Sequence, residues 1–280
     1  MSTVLVLRVC PPNMISTNNF QWPSIGPVEC SDWSSEPVCG QGLHGWLWGV
    51  GDINVANGVP STIGAKWLVV EVATTEVVNL DGKVKFPRGN VLFCGNRDLA
   101  VKLIQEKAPV GVLPMYGTAT AGSRGTATAG DYGTATAGSR GTATAGSRGT
   151  ATAGSGGTAT AGYQGTAIAG DYGTATAGSG GTATAGSGGT ATAGDYGTAT
   201  AGARGTAIAG SGGTATAGEN GTATAGYDGT AAAGENGILM IRYWDTRCRV
   251  AVAYVGENDI QPNVTYKIHI GSDFPVFVIA

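Results

Sequence analysis

The chain has 280 residues, 49 of them Gly, and its 16 Lys and Arg against 19 Asp and Glu leave a net charge of −3. So small an imbalance, with no basic stripe, argues against a nucleic-acid groove, whose phosphates demand clustered cations. No run of about 18 apolar residues is present, which argues against membrane insertion.

Met1 to Arg8 lacks the basic start, apolar run and cleavage site of an export signal. The five cysteines, Cys10, Cys30, Cys39, Cys94 and Cys248, are odd in number and form no Cys-x-x-Cys pair. They fit reduced thiols, and the expected location is the cytoplasm.

Residues 1–116 mix strand-like runs at Val4 to Val9, Trp67 to Val72 and Val91 to Cys94 with loops rich in Pro and Gly. Asp81-Gly82 predicts a hairpin turn between Val77 to Leu80 and Lys83 to Phe86. A helix is predicted to open at Asn96 and to run through Leu99, Leu103 and Ile104 towards Lys107. Together these make an α+β domain. Two prolines then bracket a short apolar run in Ala108 to Pro114, which reads as a joint whose side chains are expected to plug the next segment's open interior.

Residues 117–236 are fifteen consecutive octapeptides, nearly all Gly-Thr-Ala-Thr-Ala-Gly-x-x. The first Thr never changes, and the second changes only to Ile168, Ile208 and Ala232. In a strand, Thr-Ala-Thr-Ala sets both Thr on one face and both Ala on the other. The remaining Gly-x-x-Gly is a corner, with the two Gly expected to take the left-handed backbone angles.

Eight residues cannot circle a core. The expected coil is therefore two octamers, sixteen residues, with strands facing each other across Ala methyls. A triangular coil of three octamers is the alternative, but Ala is too small to fill a triangular interior at normal packing density. About seven and a half flat coils at roughly 4.8 Å per rung make an array on the order of 35 Å long.

No Leu, Val, Phe or Trp lies in the array; all six Trp and all five Phe are in the flanks. Ala burial contributes little at about 25 cal/mol per Å², so stability leans on the backbone ladder. Open ends of such a ladder recruit other chains, which makes a homo-oligomer one expected partner and capping segments a requirement.

Residues 237–280 read as a small β cap, with strands at Ile238 to Trp244, Arg249 to Val255, Val264 to Ile270 and Phe274 to Ile279. Gly237 to Trp244 falls in register as a sixteenth octamer with bulky residues in place of Ala and Thr. The fold class is thus mainly β: a β-solenoid of sixteen-residue coils with an N-terminal α+β domain and a C-terminal β cap.

Conventional chemistry finds little support. Cys30, Cys39 and His44, with Cys10 or Cys94, match no familiar zinc spacing, and a Cys39/His44 nucleophile pair reads better as a buried thiol beside a structural imidazole. Gly40 to Gly49 is rich in Gly and Trp, as a small-ligand pocket would be, but fits better as a tight loop packing its Trp side chains into the core. The Asp-Tyr corners at Asp131-Tyr132, Asp171-Tyr172 and Asp195-Tyr196, with Tyr163 and Tyr227, make no continuous aromatic stack. No catalytic residue, metal or cofactor is expected, and the protein is not read as an enzyme.

The Thr pairs carry the candidate function. They are Thr118 and Thr120, Thr126 and Thr128, Thr134 and Thr136, Thr142 and Thr144, Thr150 and Thr152, Thr158 and Thr160, Thr174 and Thr176, Thr182 and Thr184, Thr190 and Thr192, Thr198 and Thr200, Thr214 and Thr216, and Thr222 and Thr224. Each pair sets two hydroxyls and two methyls roughly 6.7 Å apart, repeated at about 4.8 Å from rung to rung. Stiff χ1 angles hold this lattice in one arrangement.

Ala129-Gly130-Asp131-Tyr132-Gly133-Thr134-Ala135-Thr136 resembles the octapeptide Ala-Gly-Tyr-Gly-Ser-Thr-x-Thr of bacterial ice-nucleation proteins, and the resemblance covers residues 117–236 only. The chain is also similar to uncharacterised Gly-Thr-Ala-Thr-Ala-Gly repeat proteins of bacteria and phages. The resemblance implies that the Thr pairs contact ice or ordered water. The alternatives are a structural or interaction rod without ice activity and, third, a ligand-binding or enzymatic N-terminal domain.

Overall fold

The computed structural model describes residues 2–16, 19–51, 53–56, 59, 63–270 and 275–280. The chain divides into two compact units, Met1–Gly117 and Thr118–Ala280.

In the first unit β1 (Thr3–Cys10), β2 (Gly26–Glu29), β3 (Leu43–Leu47), β4 (Lys66–Ala73), β5 (Val78–Asn79), β6 (Val84–Phe86) and β7 (Arg88–Gly95) form one sheet in the order β2-β7-β4-β1-β3-β6-β5. Its pairings are antiparallel. Both faces of the central strands are buried, because β1 and β4 are almost continuously apolar. Val6, Cys10, Leu68, Val70 and Val72 belong to one buried cluster, while Leu5, Leu7, Val9 and Val69 alternate with them and are buried as well. The expected turn closes the β5–β6 hairpin: Leu80 N–H donates to Lys83 O at 2.9 Å, with φ of 56° at Asp81 and 89° at Gly82.

Helix α1 (Arg97–Lys107) starts where Asn96 Oδ1 accepts the Leu99 N–H at 2.9 Å. The buried residues of α1 are Ala100, Val101 and Ile104, whereas Leu99 is half exposed. The helix spans the expected segment, with Ile104 on its buried side. Ala100 and Ile104, four apart, set the buried stripe one residue further round than Leu99.

The second unit is the solenoid. Strands β8 to β22 each cover the Thr-x-x-Ala core of one octamer, at eight-residue steps from Thr118–Ala121 to Thr230–Ala233. They are followed by β23 (Ile238–Trp244), β24 (Cys248–Tyr254), β25 (Tyr266–Ile270) and β26 (Pro275–Ile279). Alternate octamers go to opposite sheets, one of ten strands and one of nine. Parallel pairing joins residues sixteen apart, such as Thr134 with Thr150 and Ala135 with Ala151. The coil is therefore two octamers, and with β23 as the sixteenth rung the stack has about eight turns.

From Ala127 to Ala233 the inward Ala residues form one continuous buried cluster. The corner also carries the ladder: Gly125 N–H donates to Gly122 O at 3.0 Å to close the turn, Arg124 N–H to Ser139 O at 2.9 Å, and Thr142 N–H to Gly125 O at 2.9 Å. Each Ala methyl contributes little by burial or dispersion, so the backbone ladder, which runs through the strands and continues around the corners, carries much of what holds the rungs together.

The corner corrects one expectation. Left-handed angles fall on the eighth residue of the octamer, such as Arg124 (φ 60°), Tyr172 (φ 57°) and Asn236 (φ 55°), and not on the framing Gly. A turn with positive φ only at its third residue has the type II pattern. The framing Gly are required for space instead: a Cβ on Gly141 would lie 2.9 Å from Gly125 O, and one on Gly154 2.8 Å from Ser139 N.

At the C-terminal end the parallel stack stops. Strand β23 continues it, with Ile238 opposite Thr222 and Met240 opposite Thr224. Then β24 pairs antiparallel to β23, and β25 with β26 close the other sheet against β22. Leu239, Ile241, Val255, Ile260 and Tyr266 extend the Ala cluster with larger side chains.

The joint before the array differs from expectation. Val110 and Leu113 are exposed, because the turn closed by Val112 N–H to Pro109 O, with φ of 89° at Gly111, directs them outward. They plug no interior.

Candidate functional site

Each sheet of the solenoid presents two columns of outward side chains in register. In the nine-stranded sheet the first column is Thr126, Thr142, Thr158, Thr174, Thr190, Thr206 and Thr222. Its second column is Thr throughout except Ile208. In the ten-stranded sheet Ile168 and Ala232 interrupt the second column.

The interruptions fall unequally. Five consecutive rungs, Thr126 with Thr128 to Thr190 with Thr192, are complete on the nine-stranded sheet. The ten-stranded sheet has two runs of three, from Thr118 to Thr152 and from Thr182 to Thr216. Thr174, Thr176, Thr190 and Thr192 thus share one face, and Thr182 and Thr184 lie on the other. The Thr side chains stay partly or fully exposed while the Ala between them are buried. Neighbouring hydroxyls come within hydrogen-bond reach, as Thr230 Oγ1 to Thr214 Oγ1 at 3.1 Å shows.

The corners pack locally. Arg148 lies 5.6 Å over the Tyr132 ring and donates to Gln164 Oε1 at 3.0 Å one coil further on. Two coils separate Tyr132 from Tyr163 on the same edge, so the rings do not form a continuous stack.

The thiols and imidazole weighed as metal or nucleophile candidates have other partners, and Cys39 is exposed, not the buried thiol expected beside His44. Lys83 Nζ donates to Cys39 Sγ at 3.0 Å, Gly40 N–H donates to His44 Nε2 at 3.4 Å, and Cys94 Sγ lies 3.9 Å from Met14 Sδ. Burial pushes the Cys10, Cys30 and Cys94 thiols above their ordinary range. Among the described residues no three His, Cys, Asp or Glu side chains gather as a ligand set. The expected tight loop at Gly40 to Gly49 is corrected, since Leu43–Leu47 is strand β3, paired with β1 and β6; on it Trp46 is buried and stacks on Trp67 at 6.3 Å, while Trp48 beyond it is half-buried. Among the described residues no helix is long and apolar enough to cross a membrane.

Residues 4–100 match the family profile described as Domain of unknown function (DUF7666). An ice nucleation protein of Xanthomonas campestris pv. translucens is 45% identical over 118 residues, 41% of this chain and 7% of that protein. Ice nucleation proteins of Pseudomonas fluorescens and Pantoea ananas are each 37% identical, over 105 and 107 residues, covering 37% and 36% of this chain. The chain spans only 7%, 8% and 10% of the lengths of these three relatives. No solved structure matches it. Octapeptide sequence and sixteen-residue coil together make this chain similar to the ice nucleation proteins, as an ice-nucleation-like repeat β-solenoid.

Proposed function

We propose that the Thr faces of the solenoid order water into an ice-like layer and bind ice. The observation that carries this reading is the run of five complete Thr rungs, Thr126 to Thr192, on the nine-stranded sheet. A parallel ladder fixes the rung spacing at about 4.8 Å, and β-branched side chains restrict χ1, so hydroxyls and methyls are held without paying ordering entropy when water adds to them. The likeness to proteins named ice nucleation proteins supports the reading.

In this reading the other Thr pairs contribute shorter patches, residues 117–236 carry the activity, residues 237–280 cap the stack, and residues 1–116 form a separate domain. The protein is non-enzymatic. The array is short and suits holding a small crystal better than starting one. Free thiols at all five cysteines support a reducing compartment such as the cytoplasm.

Replacing Thr174, Thr176, Thr190 and Thr192 together by Lys tests the reading. The circular dichroism spectrum is expected to stay unchanged, because these side chains face solvent, while thermal hysteresis or nucleation weakens. Wild-type protein without effect on ice growth or freezing temperature, or Lys variants equal to it, would leave the array as a structural rod.

A further inference from the structure

The first unit contains a cavity of about 830 Å³, a volume within the usual range for small-molecule sites. It is unrelated to the Thr faces. Arg8 from β1, His44 from β3 and Lys83 from the β5–β6 turn line it, together with Ile15, Phe20 and Trp22.

The charges of this cavity are unbalanced. Arg8 lies 5.1 Å over the Trp22 ring and its Nη1 donates to His44 O at 3.0 Å, but its Nε is buried with no hydrogen-bond partner among the described residues. Lys83 Nζ has the Cys39 thiol as its partner. Behind the wall, Lys85 is fully buried, donates to Val38 O at 3.0 Å and sits 5.6 Å over the Trp33 ring. None of these three cations forms a salt bridge among the described residues. Asp32 is the one carboxylate among the lining residues described.

Of the three cations only Lys85 is fully buried, while Arg8 and Lys83 are partly exposed and line the concavity itself. A concave pocket whose lining cations outnumber its carboxylates focuses positive potential and is arranged for an anion that arrives from outside. We propose that this cavity binds a small organic oxyanion, with a carboxylate or phosphate meeting Arg8 and Lys83 and an apolar body lying against Ile15, Phe20 and Trp22. Guanidinium and ammonium donors suit both oxyanions, and a bare inorganic ion would leave most of the volume unfilled.

His44 reports the same positive field. Burial, followed by Lys83, Arg8 and Lys85, lowers its pKa from the ordinary 6.5 to about 4. The imidazole is therefore neutral near pH 7, and its Nε2 already accepts the Gly40 N–H.

The test is titration of the full chain with phenyl phosphate, benzoate and the neutral benzyl alcohol, followed by tryptophan fluorescence and by thermal shift. Binding of phenyl phosphate alone assigns a phosphate ligand, binding of benzoate alone a carboxylate ligand, and binding of both a site for oxyanions in general. In each case benzyl alcohol is expected to bind at least about tenfold more weakly, and Lys83→Gln to weaken the anion at least about tenfold.

Arg8→Gln should weaken the anion further, but Arg8 also holds the His44 carbonyl, so the half-exposed Lys83 carries the decision. Three outcomes overturn the proposal: neither anion binding at about 10 mM, benzyl alcohol binding equally well, or Lys83→Gln binding as the wild type does.

Discussion

Asp171 Oδ1 accepts the backbone N–H of Ser187, one coil further on, at 2.8 Å. Beside it, the Tyr172 ring covers Gly188 so closely that a Cβ there would lie 2.8 Å from the ring. Asp195-Tyr196 repeats both contacts with Ser211-Gly212, and Asp131 accepts the Ser147 N–H at 2.7 Å. The variable positions of the octamer are therefore coupled at sixteen residues: each of these Asp-Tyr corners is followed by a Ser, with Gly beside it after Asp171-Tyr172 and Asp195-Tyr196 and with Arg148 beside it after Asp131-Tyr132. These contacts add side-chain links to a sixteen-residue register that the backbone ladder keeps in the coils without an Asp as well.

The coupling is measurable by thermal unfolding. Asp171→Ala should destabilise the solenoid by about 1 kcal/mol, the worth of one hydrogen bond. Gly188→Ala should cost about 1–2 kcal/mol, because it adds a Cβ under the ring and a non-Gly residue in the left-handed region, where Gly188 has φ 66°. In a Tyr172→Ala background the Gly188→Ala cost should shrink. Equal costs in both backgrounds would show that the ring does not matter.

Removing residues 237–280 should convert the protein into aggregates or end-to-end polymers, seen by light scattering. The truncation uncovers the last Ala of the interior and leaves the free edges of β21 (Thr222–Ala225) and β22 (Thr230–Ala233), which now pair with β23 and β25. A truncated protein that remains a folded monomer would show that the C-terminal strands are not a cap.

Ile208→Thr and Ile168→Thr should extend the Thr lattice. On the nine-stranded sheet the complete run would grow from five rungs to seven, and on the ten-stranded sheet the two runs of three would join into seven. Both Ile are about 40% exposed, so stability should change by no more than about 0.5 kcal/mol. Thermal hysteresis should rise in the double variant. No rise would separate the length of the lattice from its activity.

The first unit should lose stability in mild acid. As pH falls from 6.5 towards 4, the unfolded chain takes up a proton at His44 that the folded domain refuses until about pH 4. The equilibrium therefore shifts to the unfolded side as pH falls through that window, and the full contribution returns above pH 6.5. Tryptophan fluorescence follows this, since five of the six Trp are in the first unit. In His44→Gln the loss between pH 6.5 and 4 should flatten.

The repeat alone determined most of the second unit. Alternating Thr and Ala with a corner every eight residues leave one face to solvent and one to the interior, and Ala is small enough only for two sheets in close approach. In the first unit β1, β4, β5, β6 and β7 and the Asn96 helix start were legible from apolar runs and turn residues, whereas β2 and β3, short and rich in Gly, carried no such signal.

Three things needed the tertiary structure. Left-handed angles fall on the eighth residue because it is the third position of a type II turn, while the framing Gly are needed because the neighbouring coil's backbone occupies the space of a Cβ. Leu99 faces solvent because the sheet contacts the stripe of Ala100, Val101 and Ile104. The cavity of Arg8, His44 and Lys83 joins residues from three distant segments, whose spacing in the chain carries no periodic signal. Local pattern decides what repeats; convergence of distant residues is decided only by packing.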